Sequence, residues 1–329
     1  MNRRPTRGFT LVELMIAMAI GLLALAALFS MLQSTSRALA TRESVAEMQE
    51  RARYALSTIE ADVQLAGYYG LSAHGNDFGF LSAGVAVAGS AQLQQTAAPL
   101  AALGTAAQSC GDNFAINLAL PLQADDNRFQ LGVNRRAACG PRGGARPGSD
   151  TLTIRRATTT ATLPDGNRLQ LLVNRLDRRQ RWLLSDATLP AGVVLQAGQL
   201  EVHDANLRSY YVSNDSVAVP GTPALRMKEL TRVAGRVDFN DTELMPGIED
   251  LQVEFFTNAG YFAPESLPPG SVIFAARVWV LARAAASEAG YSDPNNYYYA
   301  GRTATLSAAE RRYRRVLVSR LITVRNAPT

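Results

Sequence analysis

The sequence predicts an α+β chain, a long N-terminal helix packed on a mainly antiparallel β-sheet domain, and three observations carry that expectation. Residues 9–32 form an unbroken apolar run whose single charge is Glu13. Residues 33–67 continue it with apolar side chains at steps of three and four, the helical period. From Asp150 onward the pattern changes to short β-branched or alternating segments divided by turn residues.

The first run follows a basic octet holding Arg3, Arg4 and Arg7. As a helix its 24 residues would reach about 36 Å, against roughly 30 Å of membrane hydrocarbon, so the segment can span a bilayer. Basic residues before a span stay on the cytoplasmic side, which sends the chain after Leu32 across the membrane. A charged, unpaired Glu13 inside hydrocarbon would cost about 3 kcal/mol, so its presence calls for a partner, and an amine is the nearest kind.

In the second stretch Val45, Met48, Ala52, Leu56, Ile59 and Val63 share one face, while Arg42, Glu43, Glu47, Arg51, Arg53 and Glu60 take others. That stripe can dock on a folded domain, and Gly67 reads as its stop. Residues 78–111 carry no charge, yet Gln92, Gln94, Gln95 and Pro99 argue against a second span and for a polar surface excursion. Residues 151–163 and 168–173, with Pro164-Asp165-Gly166-Asn167 between them, read as a hairpin. Further strands are expected at 182–184, 193–195, 210–212, 251–255, 276–281 and 316–324. The polar stretch 290–301, with Tyr297-Tyr298-Tyr299, reads as an exposed loop, although tyrosines closing over a core edge would have the same sequence.

The junction Gly8-Phe9-Thr10-Leu11-Val12-Glu13 resembles the class III signal of type IV prepilins and type II secretion pseudopilins. The resemblance implies that a prepilin peptidase cuts after Gly8, that Phe9 becomes an N-methylated mature terminus, and that Glu13 meets the terminal amine of a neighbouring subunit during assembly. Residues 51–70, running from Arg-Ala-Arg-Tyr-Ala-Leu into Ala-Gly-Tyr, are similar to PilW-type minor pilins, as are 247–255, 277–281 and 324–326. Major pilins of the family usually carry a Pro in the second half of the anchor, and this sequence has none there. The implied organisation is a cleaved leader at 1–8, a transmembrane polymerisation helix at 9–32, an amphipathic helix at 33–67 and a periplasmic or extracellular β-rich domain at 68–329. The implied function is that of a minor pilin, which primes type IV pilus assembly with other minor pilins and sits at the pilus tip. Its partners would be those subunits, the major pilin, a tip adhesin, the peptidase and the inner membrane, before display at the cell surface. Two alternatives stay open: a minor pseudopilin of type II secretion, and an anchored periplasmic module that binds DNA or surface ligands.

The formal charge of +5 on 329 residues overstates the domain, because three of the arginines lie in the leader. The two cysteines, Cys110 and Cys139, would in an oxidising compartment most simply form one bridge, worth about 3.5 kcal/mol on the chain-entropy account. No phosphate loop, dinucleotide fingerprint, zinc-protease pair or nucleophile elbow occurs, and His74 and His203 lack an accompanying nucleophile, so neither an enzyme nor a cofactor is expected. From Arg135 to Arg181 there are eleven Arg against three Asp. Arg135, Arg136, Arg155, Arg156, Arg178, Arg179 and Arg181 could form a basic surface that tracks DNA phosphates, or simply a solvated strand face.

Overall fold

Helix α1, Leu11–Gln64, is built from the Ala, Leu and Met that favour helices, with no Pro to interrupt its hydrogen bonds. In the computed structural model, which describes residues 10–72, 74–82, 85–86, 118–129, 139–233 and 236–327, the chain divides at Met48 into two compact units. Each is described by itself.

The first unit is helical as far as it is described. Its large apolar side chains, from Leu11 through Leu32, are all more than half exposed. A helix that is apolar on every side cannot bury one stripe and leave the rest in water, so its burial has to come from outside the chain.

The second unit begins with the amphipathic end of α1. Met48, Ala52, Leu56, Ile59 and Val63 are buried there, as their spacing predicts, and burying the larger four contributes roughly 1.5–3 kcal/mol each. The helix gives way at Gly67, whose φ of 77° is in the left-handed region and whose N–H donates to the Arg155 carbonyl at 3.1 Å. Gly70, with φ 69°, is left-handed as well, and a Cβ there would in addition lie 2.6 Å from the imidazole of His203.

Two larger sheets follow. The first contains β1 (Gly79–Ser82), β2 (Val85–Ala86), β3 (Leu122–Asp125), β4 (Thr151–Ala157), β5 (Gln170–Asn174), β6 (Arg181–Leu184), β7 (Leu200–Ser213), β8 (Ala224–Val233) and β9 (Arg236–Pro246). Its centre is the 14-residue β7, whose first part pairs with β5 and whose later part pairs with β4 and β8. All its pairings are antiparallel except that of β1 with β6. The second sheet has the order β11-β10-β12-β15, formed by β10 (Ile248–Thr257), β11 (Gly260–Phe262), β12 (Ala275–Arg283) and β15 (Arg315–Thr323). The short pair β13 (Tyr298–Tyr299) and β14 (Arg302–Thr303) stands between β12 and β15 in sequence.

The α+β class and the antiparallel bias hold, with three local corrections. Residues 151–163 and 168–173 do not form a hairpin, because β4 and β5 each take β7 as neighbour and the segment between them bridges Thr162 to Val202. Residues 193–195 are not a strand; Val193 and Leu195 instead pack on the cluster formed by Leu81, Leu172, Leu184, Leu200 and Val202. The tyrosine stretch is not simply an exposed loop: Tyr297 and Tyr299 are buried against Leu281 while Tyr298 is exposed. Within 78–111, Phe78 and Leu81 are core residues, and 87–111 lies outside the described residues.

Candidate functional site

The site indicated by the sequence is the start of α1, and its geometry follows from the unpaired N–H groups of a first helical turn. Thr10 caps the helix: its hydroxyl accepts from the Glu13 N–H at 3.3 Å, and the Glu13 Oε2 accepts from the Thr10 N–H and hydroxyl, both at 2.9 Å. This is a reciprocal capping box, with Thr at the cap and Glu three residues on. Glu13 is exposed, and among the described residues its side chain meets Thr10 alone. Gly8 and Phe9 lie outside the described residues. The helix that follows is long and apolar enough to cross a membrane.

A second carboxylate on the same helix has the opposite environment. Asp62 is 2% exposed and is held by Arg156, whose Nη2 is 2.6 Å from Oδ1, by Arg208 at 3.2 Å and by the Tyr210 hydroxyl at 2.5 Å. Burial and the neighbouring Asp62 charge push the Tyr210 hydroxyl pKa well up, which keeps it a donor. The guanidinium of Arg320, on β15, pairs with Glu60, two residues before Asp62 on the helix. These contacts fix the end of α1 to both larger sheets.

The expected basic surface is broken up by burial. Arg155 is 1% exposed, donates to the Leu120 carbonyl at 2.6 Å and has its pKa pulled down to about 10 by desolvation. Arg156 is committed to Asp62, and Arg181, 6% exposed, is committed to Asp77 and Ser72. Arg178 and Arg179 are exposed, while Arg135 and Arg136 lie outside the described residues. Arg155, Arg156 and Arg181 therefore face inward and cannot contribute to a phosphate-tracking band. His203 is buried, with its ring nitrogens 2.9 Å from the Thr158 carbonyl and 3.2 Å from Glu201, so it is a packing residue.

Cys139 is fully buried in a core cluster with Tyr69, Phe78 and Leu171 and is not a free thiol. Cys110 lies outside the described residues. Among the described residues no group of three or more His, Cys, Asp or Glu side chains could hold a metal ion.

Sequence reasoning missed β8 and β9, where charged side chains point inward. Arg226, 1% exposed, pairs with Asp241 at 2.8 Å and Glu243 at 2.9 Å; Lys228 pairs with Asp241 at 2.9 Å, and the Tyr211 hydroxyl joins the same carboxylate at 2.7 Å. It also missed a polar pocket of about 280 Å³ lined by Arg146, Glu249, Asp250, Tyr299 and Arg302. There Asp250 accepts from Tyr299 and Arg302, both at 2.5 Å, while burial still raises its pKa. The only signal for these groups was the alternation of charge along the strands, which reads equally well as a solvated edge.

Residues 209–326 match the family model described as type IV pilus-assembly protein W, and residues 3–29 match the prokaryotic N-terminal methylation motif. The pilin-like protein PilA3 of Thermus thermophilus is 41% identical over 61 residues, which is 18% of this chain and 26% of that protein. No solved structure matches. The first of these models describes a pilus-assembly protein family and not an enzyme family. The chain thus joins a prokaryotic N-terminal methylation motif at residues 3–29 to a C-terminal region, residues 209–326, that is similar to type IV pilus-assembly protein W, a combination consistent with a type IV pilin of the PilW type.

Proposed function

We propose that this chain is a minor pilin which, with other minor pilins, primes type IV pilus assembly and occupies the pilus tip. The observation that carries the reading is the exposed apolar helix that opens on a capped carboxylate with no partner beyond Thr10 among the described residues. In lipid such a carboxylate is tolerable only when its charge is matched, and the terminal amine of an adjoining subunit, freed by cleavage between Gly8 and Phe9, supplies the match. Before assembly the helix anchors the chain in the inner membrane, with residues 68–329 on the periplasmic side. A large domain suits the end of a helical lattice, where it has fewer neighbours to clash with. Cys139 pairs with Cys110 in that oxidising compartment, a role supported by its burial and its lack of a free thiol. The major pilin and a tip adhesin complete the set of partners.

The reading is tested by intact-mass analysis of protein extracted from membranes. The expected mass is that of a chain beginning at Phe9 with one added methyl group. A terminus within the apolar run, as ordinary secretory processing would leave, contradicts it.

A further inference from the structure

The second larger sheet ends in β15, a strand that among the described residues has one bonded edge and one open edge. It pairs with β12 over nine positions, Arg283↔Arg315 to Ala275↔Thr323, without a shift of register. Two flanking hydrogen bonds fix which backbone groups face which way: the Val324 N–H donates to Phe274, and the Arg314 carbonyl accepts from Ala284. Even-numbered residues of β15 therefore direct their N–H and C=O groups toward β12, and odd-numbered residues direct theirs away, because the ladder alternates. The outward groups at the two ends are occupied, the Arg315 carbonyl by the Tyr297 hydroxyl and the Arg325 N–H by the Gln64 carbonyl. Between them Leu317, Ser319, Leu321 and Thr323 present their backbone groups to no partner among the described residues.

Folded proteins normally protect such an edge with a proline, a bulge, a short strand or charge. Other edges here are protected in these ways. Strand β11 is three residues long, and the β8–β9 ladder is broken by a register shift at Leu225 and Arg226. Strand β15 contains no Pro, Gly or register shift, its two charges, Arg315 and Arg320, are engaged by Glu249 and Glu60, and Ser319, Leu321 and Thr323 are exposed. The open run 317–323 is about 23 Å long at the usual rise per residue, enough for a strand of similar length to add to the sheet. Its sequence is flanked by Arg312 and Arg325, both exposed and without a carboxylate partner among the described residues.

We propose that the outer edge of β15 receives an extended strand from another protein, one with alternating apolar side chains and a carboxylate at each end. Backbone hydrogen bonds to Leu317, Ser319, Leu321 and Thr323 hold the strand, and the two flanking arginines select its charge. This surface goes beyond the pilin reading and does not depend on it.

The test uses the purified full-length chain in detergent and three synthetic nonapeptides of alternating Val and Thr. One carries Glu at both ends, one carries Lys at both ends, and one carries Glu ends with a central Pro. The expected result is that the Glu-ended peptide binds about tenfold or more tightly than the other two, and that it slows amide hydrogen exchange at 317, 319, 321 and 323 by a similar factor. The even-numbered amides, already bonded to β12, should be unchanged. Ser319→Pro should abolish binding without moving the unfolding midpoint, since its N–H faces outward. Three results overturn the proposal: equal binding of the three peptides, no binding at all, or binding that leaves the four amides as they were. Protection that appears without peptide and rises with protein concentration assigns the edge to a second copy and overturns the carboxylate-bearing partner.

Discussion

The two ends of α1 are both rich in apolar residues, yet the chain treats them in opposite ways. From Met48 onward one stripe is buried, and the carboxylate Asp62 is held by two arginines and a tyrosine. From Leu11 to Leu32 nothing is buried, and the carboxylate Glu13 is held by its own cap residue. The difference lies in arrangement and not in composition. A stripe can be satisfied by one domain, whereas a helix apolar all round needs a solvent or a neighbour that surrounds it. The first end is complete within the chain, and the second is built for surroundings the chain does not supply.

The comparison is broken most severely at Asp62. Asp62→Ala removes the buried carboxylate shared by Arg156, Arg208 and the Tyr210 hydroxyl, with Glu229 still beside Arg208, and the domain should lose about 3 kcal/mol, read from the shift in denaturation midpoint of the full chain in detergent. An unchanged midpoint would mean that the end of α1 is held by packing alone.

Asp150 gives a smaller effect and one that depends on pH. It accepts N–H bonds from Asn127 and Val253, but burial, with Asp126 and Asp250 nearby, raises its pKa to about 7. Its folded pKa lies above the usual value of about 3.9, so the stability it contributes is fully present below about pH 4 and is lost as pH rises through about 7. Asp150→Asn should remove that dependence, and because its amide nitrogen cannot accept the second N–H, the variant should be less stable than the parent below about pH 4 by about 1–3 kcal/mol, with the gap narrowing as pH rises through about 7. A variant with the same pH profile as the parent would show that Asp150 is ionised throughout.

Tyr299→Phe removes one of the donors to Asp250 and should cost about 1–2 kcal/mol in the same measurement, since Arg302 and Gln252 remain. Arg178→Ser combined with Arg179→Ser should change stability by less than about 0.5 kcal/mol, both being exposed. It should also leave the salt dependence of any DNA association unchanged. A loss of DNA affinity in that double variant would restore a role for the exposed part of the basic band.

The parts of this fold that could be read in the sequence were those governed by a single period. The stripe from Val45 to Val63 and the alternation at Leu251 to Phe255 each matched one template, and both elements are where they were expected. The parts that were missed obey two demands at once. In β8 and β9 Arg226, Lys228, Asp241 and Glu243 satisfy one another inside the sheet, so the inward face looks polar and the strands look like loops. The hairpin expected around Pro164-Asp165-Gly166-Asn167 failed because a local turn signal says nothing of β7, whose 14 residues offer both segments a better neighbour. Glu13 was legible because a carboxylate in an apolar run has few explanations. The Thr10 cap that holds it became visible only in the geometry.

Glu13 also offers the most direct test of the account, because it should matter to assembly and not to the fold. The measurement compares Glu13→Ala with the parent chain in a strain lacking the native copy, and reads two quantities: the chain held in the membrane, and the chain recovered with sheared pili. The domain should keep its denaturation midpoint, and membrane-held protein should be at least as abundant, since removing a carboxylate makes the segment more apolar. Recovery with pili should fall by more than about tenfold, because a neighbour's amine is left unpaired in lipid at a cost of about 3–5 kcal/mol. Normal recovery of Glu13→Ala in pili would contradict the account, and would leave the exposed helix as a membrane anchor only.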